Sequence, residues 1–130
     1  MNRRWIGFVL VVATVIVIQP QMGRSQATQP NTSELDALIT ESYQVAFCRL
    51  PAESELKTWR AQNSVHPLNL QSMLKGHRSW LKSYTPEQQP LIVRAYQKKL
   101  GRAPTEAEVS RWKQLLTEGN TNCADIVAAI

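Results

Sequence analysis

The sequence predicts an all-α fold: two stacked three-helix repeat units forming one small helical domain. Three observations point there. From Leu35 onward apolar residues recur at three- and four-residue steps, with no alternating, strand-like stretch among them. Capping residues and helix-ending Pro and Gly punctuate that pattern. And the chain matches itself when it is shifted by 53 residues.

Leu35, Leu38, Ile39, Ser42, Ala46 and Leu50 form the stripe of the first helix, widened by Tyr43 and Phe47. Ser33 with Asp36 supplies its cap, and Pro51 its stop. A second helix runs from about Ala52 to Gln62 and buries Leu56 and Trp59, with a loop at His66-Pro67. Asn69 caps a third helix that carries Leu70, Met73, Leu74, Trp80 and Leu81. Thr85-Pro86-Glu87-Gln88 reads as a capped start, but Pro90 has no N–H to donate, so the regular part of the fourth helix is expected to begin there. It buries Leu91, Ile92, Ala95, Tyr96 and Leu100 and turns at Gly101. Thr105 and Glu108 form a capping box for a fifth helix with Val109, Trp112, Leu115 and Leu116, closing at Gly119. Asn122 caps a last short helix from Cys123 to Ile130.

The N-terminus has a different character. Asn2-Arg3-Arg4 is cationic, Trp5 to Ile18 holds no charge, Pro20 ends any helix, and Ser25-Gln26-Ala27 offers small residues for a signal peptidase. Residues 1–27 therefore read as a secretory signal peptide. The competing reading is an uncleaved anchor, although fourteen residues fall short of the ~20 that a spanning helix uses. Either way the folded part lies outside the cytoplasm. Residues 28–33 form a polar linker, 34–85 the first unit and 86–130 the second.

The formal charge of +5 belongs largely to this leader. Arg3, Arg4 and Arg24 are three of the 15 basic residues, so 12 remain against 10 acidic ones and the balance falls to +2. That removes most of the reason to expect nucleic acid as a partner. Cys48 and Cys123 are the two cysteines, and an oxidising compartment favours their pairing over two buried free thiols. A bridge across 75 residues would stabilise the fold by up to about 4 kcal/mol on the chain-entropy account.

The self-match runs without a gap. Ile39, Tyr43, Gln44, Arg49, Pro51, Glu53, Glu55, Trp59 and Asn69 meet Ile92, Tyr96, Gln97, Arg102, Pro104, Glu106, Glu108, Trp112 and Asn122. Nine identities in 31 positions, where chance supplies about two, mark a duplication. Each unit is then a Tyr helix, an Arg-x-Pro turn, a Trp helix and a shorter third helix.

The second unit, with Tyr96, Leu100-Gly101-Arg102, Pro104 and Trp112, resembles the family known as domain of unknown function 4214. The first unit keeps Tyr43, Arg49, Pro51 and Trp59, with Phe47 and Cys48 at the Leu-Gly positions. Both depart from the family's Asp and Gly, having Thr105 and Glu108 in one unit and Ala52 and Glu55 in the other. The resemblance implies a secreted or envelope protein, in some cases one concerned with cell-surface attachment, and implies no reaction.

Candidate sites are few. Trp59 and Trp112, in apolar stripes, are expected in the core at equivalent positions. Trp80 is flanked by Lys75, Arg78 and Lys82, which together form the candidate binding surface, suited to an anionic glycan or phosphate if it is more than a solvated helix face. Arg49 and Arg102 offer a paired anion site, or else they tie down helix-end carbonyls or Glu53 and Glu106. His66 and His77 have no partner at metal-ligand spacing, and His77 is expected to be exposed. Glu53, Glu55, Glu106 and Glu108 sit in first turns, where the helix dipole accounts for them. With no phosphate loop, haem-attachment motif or nucleophile elbow, the sequence gives no cofactor and no enzyme. The function expected is a non-catalytic exported module binding a protein or a cell-surface polysaccharide. The alternative is an accessory subunit of a membrane complex, held by an uncleaved N-terminal helix.

Overall fold

A computed structural model describes residues 31–130, and the signal segment and the first half of the linker lie outside the described residues. Six helices follow one another: α1 (Thr32–Phe47), α2 (Glu53–Val65), α3 (Leu70–Ser83), α4 (Thr85–Leu100), α5 (Glu106–Glu118) and α6 (Cys123–Ala129). Among the described residues there is no strand, and no helix is long and apolar enough to cross a membrane.

Local chemistry explains most of the boundaries. The side-chain oxygens of Asn69, Thr105 and Asn122 accept hydrogen bonds from Ser72, Glu108 and Asp125 N–H, as their sequence contexts suggest. Gly101 and Gly119 close α4 and α5 at φ 66° and 87°, a region open to glycine without a side-chain penalty.

Other boundaries moved. Asn31, placed in the linker, is the cap of α1: its Oδ1 accepts from Glu34 N–H at 2.9 Å, so Thr32 and Ser33 are already helical. The same helix stops at Cys48, which takes the left-handed conformation (φ 51°), and Leu50 projects outward, 64% exposed, rather than extending the stripe. α2 gains a turn beyond Gln62. α4 begins at Thr85, not Pro90. Pro90 does forfeit a hydrogen bond, but tertiary contacts hold the preceding turn: Gln88 is buried and donates to the Leu81 carbonyl at 2.9 Å, and Glu87 pairs with Arg94 and Arg49. Leu100, expected inside, is 43% exposed, next to the turn.

One core serves the whole domain. Ile39, Ala46 and Phe47 of α1 meet Met73 and Leu81 of α3, Leu91, Ile92 and Ala95 of α4, Leu116 of α5 and Ile126 of α6. The halves interlock: α6 packs on α1 as well as α4, and α3 packs on α4 and α5 as well as α1. Helix boundaries coincide at the 53-residue offset, Thr32–Phe47 with Thr85–Leu100 and Glu53–Val65 with Glu106–Glu118. The packing does not coincide. α5 is held between α4 and α3, whereas α2 packs closely on α1 alone among the described residues.

Candidate functional site

The turn after α1 and the turn after α4 are built alike. Arg49 donates to both oxygens of Glu55 at 2.8 Å and to the Leu50 carbonyl at 3.1 Å. Arg102 donates to both oxygens of Glu108 at 2.9 and 3.0 Å and to the Ala103 carbonyl at 3.0 Å. Each carboxylate also accepts the N–H at its helix start, Ala52 or Thr105, at 2.7 Å. Each guanidinium lies over the preceding tyrosine ring. Hydrogen bonding to Arg102 takes Glu108 down to about 2. Neither arginine is left for an external anion, and the partner is the third residue of the helix rather than Glu53 or Glu106.

The Trp–Tyr link recurs as well. Trp59 Nε1 donates to the Tyr43 hydroxyl, and Trp112 Nε1 to the Tyr96 hydroxyl, both at 3.0 Å. Their surroundings differ. Trp112 is 8% exposed, whereas Trp59 is only partly buried and lines an open groove of about 440 Å³. The expectation of equivalent core positions therefore needs correction. Beyond α1, only the edge of α3 at His77 reaches the α2 tryptophan.

That groove joins residues of three helices. Its floor is Tyr43 and Phe47 of α1. One wall is α2, where Ser54, Thr58 and Gln62 stand one above another at four-residue spacing beside Glu55 and Trp59. The opposite wall is α3, which contributes Gly76, His77 and Trp80. Trp80 is 42% exposed, stacks on Tyr84 at 4.5 Å and meets Phe47 edge-on at 5.6 Å.

His77 is buried rather than exposed. Its ring packs edge-on against Tyr43, Phe47 and Trp59, with centroids 4.8, 4.8 and 5.3 Å away. Burial pushes its pKa down to about 4, so it is neutral at pH 7. Its Nε2 lies 3.1 Å from Ser42 Oγ, which itself donates to the Ile39 carbonyl at 2.7 Å. Ser42 therefore accepts from His77 Nε2–H, and Nδ1 is left as the acceptor nitrogen. A serine beside an imidazole suggests a nucleophile, but Ser42 is fully buried and its proton is committed to a backbone carbonyl. Among the described residues no cluster of His, Cys, Asp or Glu is arranged to hold a metal.

The candidate surface of Lys75, Arg78, Trp80 and Lys82 does not come together. Helical residues turn by about 100° each, which sets Trp80 some 140–160° around α3 from the three cations. Trp80 faces the groove. Arg78 turns toward Asp125 of α6, 3.8 Å away, with its Nε buried and unpartnered among the described residues. Lys82 lies along Gly119, and Lys75 is exposed. An anionic ligand at Trp80 loses its charge partners. Cys48 and Cys123 form a disulfide, Cα atoms 5.7 Å apart, tying the end of α1 to the start of α6.

The sequence reading missed Ser54, Thr58, Gln62, Gly76 and His77 as groove residues. Two signals were present: the polar row at four-residue spacing, and a glycine inside a helix. Neither the family models, nor the curated proteins, nor the solved structures compared with this chain give a match.

Proposed function

We propose that this chain is a non-catalytic, exported module that holds a macromolecular partner of the cell envelope or surface, a protein or a polysaccharide, in the groove between α2 and α3. The observation that carries the reading is the groove's chemistry. It is open, walled by two tryptophans, its arginine and glutamate neutralise each other, and its one hydroxyl–imidazole pair is sealed inside. Such a surface can bind and has nothing aimed at a reacting atom.

Export rests on the uncharged run from Trp5 to Ile18 behind two arginines, and the disulfide is consistent with an oxidising compartment. The halves read as divergent copies of one unit, on the evidence of the nine identities and the coincident helix boundaries. The resemblance to domain of unknown function 4214 agrees with an envelope or secreted role. Intact mass of the protein from its host separates secretion from anchoring: a chain starting near Thr28 means cleavage, and one retaining Trp5 to Ile18 means an anchored accessory subunit.

Binding is tested by immobilising the oxidised protein and challenging it with envelope protein and polysaccharide fractions. Trp80→Ala should lose the captured partner while remaining folded, with only a modest fall in melting temperature from its lost contacts with Tyr84 and Phe47. Capture that is absent, or indifferent to Trp80, refutes the reading.

A further inference from the structure

We infer that the α2–α3 groove takes an uncharged saccharide, its rings laid against Trp59 and Trp80. This deepens the reading above and rests on it. Charge comes first. The charged side chains lining the groove are Arg49 and Glu55, held to each other by two hydrogen bonds of 2.8 Å, and His77 carries no charge at neutral pH. A charged ligand entering would give up water and meet no opposite charge, whereas a neutral one avoids the cost of an uncompensated charge.

Polar and apolar groups are also segregated as a sugar ring requires. A pyranose has C–H faces and a rim of hydroxyls. Trp59 and Trp80 line facing walls, Trp80 with one face stacked on Tyr84 and the residue 42% exposed, and the row of Ser54, Thr58 and Gln62 runs beside them. Thr58 Oγ1 donates to the Ser54 carbonyl at 2.9 Å, so its lone pairs remain to accept from a ligand hydroxyl. Gln62 adds both a donor and an acceptor. A volume of about 440 Å³ is within the range of small-ligand sites.

Gly76 supplies an independent observation. It lies inside α3, where glycine is a poor helix former, and a Cβ built on it would meet no atom within 4 Å. Neither backbone conformation nor packing calls for glycine there. What its bare backbone does is leave the wall between His77 and Trp80 flat and the groove open.

The test uses the full oxidised protein as exported, titrated calorimetrically with short oligosaccharides of glucose, mannose and N-acetylglucosamine, and with oligogalacturonate as the anionic control. At least one neutral series should bind saturably and oligogalacturonate should not. Gly76→Leu, which removes no contact and fills the groove, should weaken binding by about tenfold or more while melting at or above the parent temperature. Trp80→Ala should weaken binding likewise, with a modest fall in melting temperature from its lost contacts with Tyr84 and Phe47. The inference is overturned if no neutral series binds, if oligogalacturonate binds as well, or if Gly76→Leu leaves affinity intact. Capture of an envelope protein that Gly76→Leu abolishes, with no sugar bound, overturns the saccharide and leaves the binding module standing. Groove variants that change neither capture nor sugar binding overturn both.

Discussion

Helices α2 and α5 begin with the same Glu-x-Glu start, carry the same tryptophan bonded to the same tyrosine, and hang from the same arginine-braced turn. Yet α5 is a core helix and α2 is the wall of a groove. The difference lies one residue past the tryptophan's next turn. Leu116 of α5 is fully buried against the shared core, whereas its counterpart in α2 is Asn63, whose Oδ1 accepts from Leu68 N–H at 3.0 Å. α5 is clasped by α3, while α2 is steered onto α1 by surface pairing, Arg60 with Asp36 at 2.6 and 2.8 Å. Lys113 and Gln89 hold the matching position in the other half at 3.0 Å. Identical local chemistry thus fixes helix starts and turns, and a few apolar-to-polar changes decide which helix stays open.

A large effect is expected from the tie between the halves. Replacing Cys48 and Cys123 by Ala should cost about 2–4 kcal/mol in a denaturant melt. Part of that loss is offset if Cys48 becomes Gly instead, because its φ of 51° suits glycine, as at Gly101. Equal stability of the oxidised protein and the double variant would remove the bridge from the account.

The buried imidazole gives the first half an acid sensitivity that the second lacks, since Ile130 stands where His77 would fall. His77 titrates near 4 in the fold and near 6.5 when unfolded, so between those values the unfolded state binds more protons. Stability should therefore fall as pH drops from 6.5 toward 4, by on the order of 2 kcal/mol. Glu55 and Glu108, lowered by their arginines, add further losses as pH falls through the range where unfolded carboxylates protonate, overlapping the acid end of the His77 window. Melts of His77→Gln should be flat from pH 6.5 to 5. A parent curve already flat there would show that the imidazole is not buried neutral.

The two arginine turns are separable too. Arg49 braces Glu55 and Glu87 and is half-buried, whereas Arg102 is more exposed and holds Glu108 alone. Arg49→Ala should cost about 1–2 kcal/mol, and Arg102→Ala less than that. Equal losses would mean the Glu87 link adds nothing. At the small end, Gly76→Ala should stabilise α3 by about 0.5–1 kcal/mol, since the added methyl meets no neighbour.

Much of the scaffold was legible because it is local. Asn69, Thr105 and Asn122 each supply a cap from within four residues, and Gly101 and Gly119 end their helices by their own conformation. Pro90 misled because its missing N–H is a local fact, while Gln88 and Glu87, which anchor that turn, act through Leu81, Arg94 and the distant Arg49. His77 reads as a surface residue beside Arg78, yet its burial depends on rings from α1 and α2. The cluster around Trp80 was a neighbourhood in sequence only, and the helix turn disperses it. The groove was least legible of all, because it exists through the packing partner that α2 lacks.

The central claim is that one helical plan yields a sealed tryptophan in one half and an accessible one in the other. Parallel chemical melts of Trp112→Ala and Trp59→Ala test it most directly. Trp112→Ala should lose about 3–5 kcal/mol through the cavity it leaves, and Trp59→Ala about 1–2 kcal/mol, having less buried surface to give up. Equal losses at the two sites would contradict the account, since Trp59 would then be core and the groove beside it closed.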